Sequence, residues 1–144
     1  MVTGTGDDRR GETFEDLAEY IRAYRAGGYD VAHVAESICG DCGGRGFEVV
    51  TDGDDGAQRI CVTCGNVAFI ADSADYWEEE EVGDCTCPCG GTTFAVGLGL
   101  AMREDGVDVR WISVGLRCLT DGRLGVYADW KISYGPSGHL RLQA

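Results

Sequence analysis

The sequence predicts a small, mostly-β, metal-stabilised fold, with two antiparallel sheets in tandem behind one N-terminal helix. Three observations predict it. First, the chain repeats itself: Cys42-Gly43-Gly44-Arg45-Gly46-Phe47-Glu48-Val49 and Cys89-Gly90-Gly91-Thr92-Thr93-Phe94-Ala95-Val96 both read C-G-G-x-x-F-x-V. A second pair of segments in the same order, Cys61 to Asp72 and Cys118 to Asp129, shares Cys, Thr, Gly, Ala and Asp at the same offsets. Two such matches point to one supersecondary unit used twice. Second, cysteines cluster at the two ends of each unit. Third, apolar residues between the clusters alternate with a period of two, the signature of half-buried strands. Twenty-three Gly and two Pro in 144 residues suit tight turns better than a helical bundle.

Taken in order, residues 1–12 are polar and Gly-rich and read as a flexible terminus. The segment 13–38 is helical at its start. Thr13 can cap, Asp16 stands at the third position, Gly27-Gly28 ends the helix, and Phe14, Leu17, Ile21 and Tyr24 draw one apolar stripe. That stripe is expected to pack on a sheet too small to bury a core alone. Residues 29–38 read either as a second short helix or as an extended connector. The first unit, 39–72, holds strands at 47–51 and 58–62 joined by Asp52-Gly53-Asp54-Asp55-Gly56, and a third at 67–71. An acidic linker, 73–84, follows. From Asp72 to Asp84 there are seven acidic residues and no basic one, including Glu78-Glu79-Glu80-Glu81, with Tyr76 and Trp77 as candidate anchors.

The second unit, 85–135, is longer. Phe94, Val96, Leu98, Leu100 and Met102 alternate with Thr93, Ala95, Gly97, Gly99 and Ala101, so one face of this strand is bulky and the other nearly bare. A bare face invites close approach by another backbone or ring, and something is expected to cover it. After the turn Glu104-Asp105-Gly106 the return strand spans 107–117, with a change of parity near Trp111-Ile112 that predicts a bulge. A third strand alternates from Leu124 to Tyr134. Pro136-Ser137-Gly138 breaks it, leaving 136–144 as a short tail.

The cysteines carry the chemistry. Cys39-x2-Cys42 and Cys61-x2-Cys64 lie 18 residues apart, the spacing of a four-thiolate zinc site in which two turns each present two sulfurs to one tetrahedral ion. In the second unit Cys87-x-Cys89 replaces the first pair, and Cys118 with Asp121 replaces the second after 28 residues. The fourth ligand there is contested between Asp121 and Cys85. Both units resemble zinc ribbons, over roughly residues 38–72 and 85–134. That resemblance implies a fold and a metal rather than a function: a structural zinc ion is expected in the first unit, and the second site either holds zinc as well or has lost its metal and left buried thiols. The run Gly125-Val126-Tyr127-Ala128-Asp129-Trp130-Lys131-Ile132 resembles uncharacterised bacterial zinc-ribbon proteins. The first eight residues lack the charged start and apolar centre of an export signal, so a cytoplasmic location is expected, where thiols stay reduced and favour metal over disulfides.

Charge narrows the function classes. Residues 1–86 hold 20 acidic side chains against 6 arginines, and residues 87–144 hold 5 against 6 basic ones, so the first part carries the whole net charge of −13. Such a chain repels phosphate backbones and attracts a basic protein surface. No phosphate-binding loop, nucleophile elbow or His-Glu-x-x-His motif is present, and His33 and His139 are the only histidines. The expected function is therefore non-enzymatic: a zinc-binding interaction module for a basic partner, as an acidic inhibitor or immunity-type protein would be. One alternative is nucleic-acid binding by the C-terminal unit, through Arg103, Arg110, Arg117, Arg123 and Lys131 among Trp111, Tyr127 and Trp130. Another is a redox or metal sensor at the irregular second site, with a spare Cys85 as the oxidisable thiol.

Overall fold

Thr13 opens α1 (Phe14–Tyr24) in the computed structural model of the chain, which describes residues 2, 9–52, 56–77 and 82–144, the side chains of 75, 76, 141 and 142 excepted. The Thr13 hydroxyl accepts from the Asp16 N–H at 3.3 Å and the Asp16 carboxylate accepts from the Thr13 N–H at 3.2 Å, a reciprocal capping box. The helix ends before the two glycines, where Arg25 turns left-handed (φ 52°) and a 3-10 turn follows at Ala26–Gly28. Leu17 and Ile21 are fully buried and Phe14 half-buried, while Tyr24 at the end of the stripe is exposed.

The segment after it is extended, not helical. It forms β1 (His33–Glu36), whose Val34 packs with the helix core while Ala35 packs with the larger core on the other side. Then come β2 (Phe47–Asp52), β3 (Ala57–Cys61), β4 (Val67–Phe69), β5 (Val82–Asp84), β6 (Phe94–Met102), β7 (Val109–Cys118) and β8 (Leu124–Lys131). All pairings are antiparallel and all belong to one eight-stranded sheet, ordered β4-β3-β2-β6-β7-β8, with β1 on β6 and β5 on β2.

This replaces the expected pair of separate sheets with one. The halves join where Phe47 pairs with Phe94, the same position of the repeated motif, and beyond that pair β5 lines β2 and β1 lines β6, so these edges are not left open. Phe47, Val49 and Ile70 from the first half share a core with Leu98, Ile112 and Trp130 from the second.

The bare face of β6 is covered by α1. A Cβ on Gly99 or Gly115 would lie 2.5 Å from Ile21, and one on Gly97 2.9 Å from it, so the glycines set how near the helix lies. The bulge falls at Arg110, one residue before the predicted place, because Ala101 pairs with Trp111 and Met102 with Val109. A second irregularity at Tyr127, between the pairs Val114–Ala128 and Gly115–Val126, was not expected.

Two segments differ from their sequence reading. The stretch 73–84 is not simply a solvated linker: buried Asp72 accepts from the Trp130 indole at 3.0 Å and the Tyr134 hydroxyl at 2.8 Å, a 3-10 turn spans Ser73–Tyr76, and β5 pairs with β2. Nor is 136–144 a loose tail. Ser137 Oγ accepts from the Val109 N–H at 2.8 Å, Leu140 is buried in the shared core, and the Ala71 N–H donates to the Gln143 carbonyl at 2.7 Å. Buried backbone needs such partners, and these residues supply them. The turn at 53–55, the run at 78–81, Met1 and residues 3–8, and the proposed anchor Tyr76 as a side chain lie outside the described part.

Candidate metal centres

Each ligand pair sits at a strand end on a turn made by the glycines of its motif. The residue after the second potential ligand is a glycine with positive φ in all four turns: Gly43 (74°), Gly65 (78°), Gly90 (91°) and Gly122 (78°). Only glycine takes this conformation without a Cβ penalty. The next glycine of C-G-G has a different duty. A Cβ on Gly44 would lie 3.1 Å from the Cys61 sulfur and 3.2 Å from that of Cys42, and one on Gly91 3.0 Å from the Cys118 sulfur and 3.3 Å from that of Cys89.

The second ligand turns of the two halves match bond for bond. Cys61 N–H donates to the Asn66 carbonyl and Cys118 N–H to that of Arg123, both at 2.9 Å. Gly65 donates to Cys61 and Gly122 to Cys118, both at 2.8 Å. Cys39 and Cys87 differ by one residue, bonding to Gly44 and Gly91, which is how the shorter C-x-C spacing closes a similar turn.

These turns gather two groups of four donors, Cys39, Cys42, Cys61 and Cys64 in one, and Cys87, Cys89, Cys118 and Asp121 in the other, with ligand atoms within 4.8 Å of one another. In the first, the sulfurs of Cys39 and Cys64 are 3.6 Å apart and those of Cys42 and Cys61 3.5 Å. In the second, the sulfurs of Cys89 and Cys118 are 3.7 Å apart and Cys87 Sγ lies 3.5 Å from Asp121 Oδ1. A disulfide needs about 2.0 Å. Sulfurs at about 2.3 Å from a shared tetrahedral ion stand about 3.8 Å apart, and a sulfur and an oxygen about 3.5 Å. Both donor sets therefore fit a small tetrahedral cation, and no cysteine is in a disulfide.

Electrostatics within the groups follow from the turns. Backbone N–H groups of Cys42 and Asp41 pull Cys39 down, and those of Cys64 and Thr63 pull Cys61 down to about 6. Cys42 also receives an N–H, from Gly44, yet the neighbouring Cys61 and Cys64 push it up to about 12. Two sulfurs are thus readily ionised and the others wait for a cation to displace their protons. Arg59 lies beside this group, its guanidinium 4.7 Å above the Phe47 ring and its charge acting on Cys39 and Cys61. In the second group Cys87 is pushed up to about 12 by burial, then by Cys89, Cys118 and Asp121. Asp121 is held at about 2, first by the Arg123 N–H and further by Cys118, Cys87 and Arg10.

The N-terminal segment straps this second group, a contact with no signal in the motifs. Gly11 N–H donates to the Gly122 carbonyl and Leu124 N–H to the Arg9 carbonyl, both at 2.8 Å, while Arg10 Nη1 lies 3.5 Å from Asp121 Oδ2. Cys85 stands outside both groups. It is buried on the strand side, its N–H donating to the Val49 carbonyl at 2.9 Å, and burial pushes its thiol up to about 11. A neutral, buried thiol is a poor target for oxidants. His33 lies in β1 and His139 in the C-terminal 3-10 turn, and neither belongs to either group.

Four of the aromatic and basic side chains of the C-terminal part, Trp111, Trp130, Arg103 and Arg110, are engaged internally. Trp130 is buried against Asp72, the Trp111 indole donates to Asp129 at 2.9 Å, Arg103 donates to the Ile132 carbonyl at 2.7 Å, and Arg110 lies 5.0 Å over the Tyr29 ring. No family model, curated protein or solved structure matches the chain. Among the described residues no helix is long and apolar enough to cross a membrane.

Proposed function

We propose that both donor groups hold zinc as structural sites, and that the chain is a non-enzymatic module that binds a protein with a basic surface. The observation that carries the metal reading is the spacing of 3.5–3.7 Å between the paired donors. All-sulfur and sulfur-plus-carboxylate tetrahedra suit zinc, and four protein ligands leave no open position for a reacting water. The matched turn hydrogen bonds support reading the two groups as one ribbon-like unit used twice. Native mass spectrometry tests this: the expected result is two zinc ions per chain, falling to one in Cys61→Ser and in Cys118→Ser. A metal-free folded chain would overturn it.

Support for the partner class comes from the net charge of −13, carried by residues 1–86, and from the internal engagement of Trp111 and Trp130, which takes two stacking rings from any nucleic-acid surface. Titration with an Arg-rich peptide should show binding that weakens with added salt, as expected for exposed charges. Single-stranded DNA at the same low salt should not bind; the reverse order of affinities would reject this reading.

A further inference from the structure

At the seam between the halves, the two turns that begin at Cys61 and Cys118 bring equivalent residues together. Val62 and Leu119 each follow the cysteine, each is more than two-fifths exposed, and each donates its N–H to the neighbouring strand end, Val62 to Gly46 at 3.1 Å and Leu119 to Thr93 at 3.0 Å. Their side chains flank Gly46, where a Cβ would lie 3.2 Å from Leu119 and 3.3 Å from Val62. Beside them opens a cleft of about 380 Å³, lined by Phe14, Glu36, Arg45, Gly46, Arg117 and Leu119 among others. Glu36 and Arg45 approach to 3.8 Å, and the Arg45 side chain is largely exposed. Among the described residues Arg117 makes no ion pair, and its Nε is buried without an acceptor. It is one of several arginine Nε atoms so buried, and a buried donor left without an acceptor costs stability.

We propose that this cleft binds a small organic carboxylate with a short apolar body. The volume lies in the range of small-ligand pockets. Two arginines against one glutamate leave its lining with one positive charge, which matches a monoanion. The planar fork of Arg117 suits a carboxylate, and Phe14 and Leu119 offer apolar walls to the remainder of the ligand. The site is distinct from both metal groups and does not depend on a protein partner.

Amide NMR on the full, zinc-loaded chain tests it, with hexanoate as probe and hexan-1-ol and inorganic phosphate as controls. Hexanoate should shift the amides of Gly46, Arg117 and Leu119 saturably, with both controls at least about tenfold weaker. Because the Arg117 side chain has no ion-pair partner among the described residues, Arg117→Gln should keep the fold and the metal content while weakening hexanoate about tenfold or more. Gly46→Ala, which narrows the cleft from its floor, should weaken it as well. Absence of saturable shifts, equal affinity in Arg117→Gln, or phosphate binding as tightly as hexanoate would overturn the proposal.

Discussion

In the first half of the sheet β2, β3 and β4 are 6, 5 and 3 residues long, and the outermost strand leaves Val67 and Phe69 exposed. In the second, β6, β7 and β8 run 9, 10 and 8 residues, and both faces of β6 are buried from Phe94 to Ala101. The turns are alike; the hydrophobic support is not. Leu17 and Ile21 press on the glycine face of the second half, and most members of the shared core come from it. On the proposed metal reading, a part so thin in core relies on an ion clamping its four sulfurs, whereas a part with two covered faces tolerates a shorter ligand turn and a carboxylate in place of a thiol.

Removing one clamp should therefore hurt the halves unequally. Cys61→Ser is expected to lose one zinc ion and to destabilise the chain by more than about 4 kcal/mol, the size of effect seen when a structural metal is lost. Chemical denaturation would read the loss and hydrogen exchange would place it in β2–β4. The mirror experiment is Ile21→Ala, which empties the contact with Gly97, Gly99 and Gly115 and should cost about 2–5 kcal/mol. Zinc stoichiometry by native mass spectrometry should stay at two. A loss of metal in Ile21→Ala, or a mild effect of Cys61→Ser, would break the contrast.

Asp121 sharpens it further. Asp121→Ala should weaken the second ion by more than about 100-fold, beyond the loss of an outer-shell partner, and leave the second half folded. Competition with a zinc chelator measures the affinity. Acid should act on the same residue. With its carboxyl held at about 2 by the Arg123 N–H, and an unfolded value of about 3.9, its stabilisation is complete above the unfolded value and is lost as pH falls through the folded one. In the chelated protein, the denaturation midpoints of wild type and Asp121→Ala should accordingly converge between pH 5 and pH 2.

Much of the site was readable before the structure because ligand spacing is local. C-x-x-C and C-x-C encode turns of a few residues, and the glycines beside them encode the backbone those turns require. Asp121 could be aligned with Cys64 for the same reason. The capping box of Thr13 and the alternation of β6 are equally local. What escaped the sequence depends on contacts far along the chain. The pairing of Phe47 with Phe94 has no spacing rule, and Asp72 reaches Trp130 across 58 positions. Residues 136–144 looked like a tail because Pro136 and Gly138 mark a break in a strand, which says nothing of Leu140 returning to the core. The strap of Arg9 to Gly11 over Gly122 uses backbone bonds, which leave little trace in side-chain pattern.

Hydrogen exchange before and after chelation tests metal clamping most directly. If zinc holds the first half, amides of β2, β3 and β4 lose protection when the ions are stripped, while those of β6 and β7 keep most of theirs. Unchanged protection in both halves, in a chain confirmed to be metal-free, would contradict it.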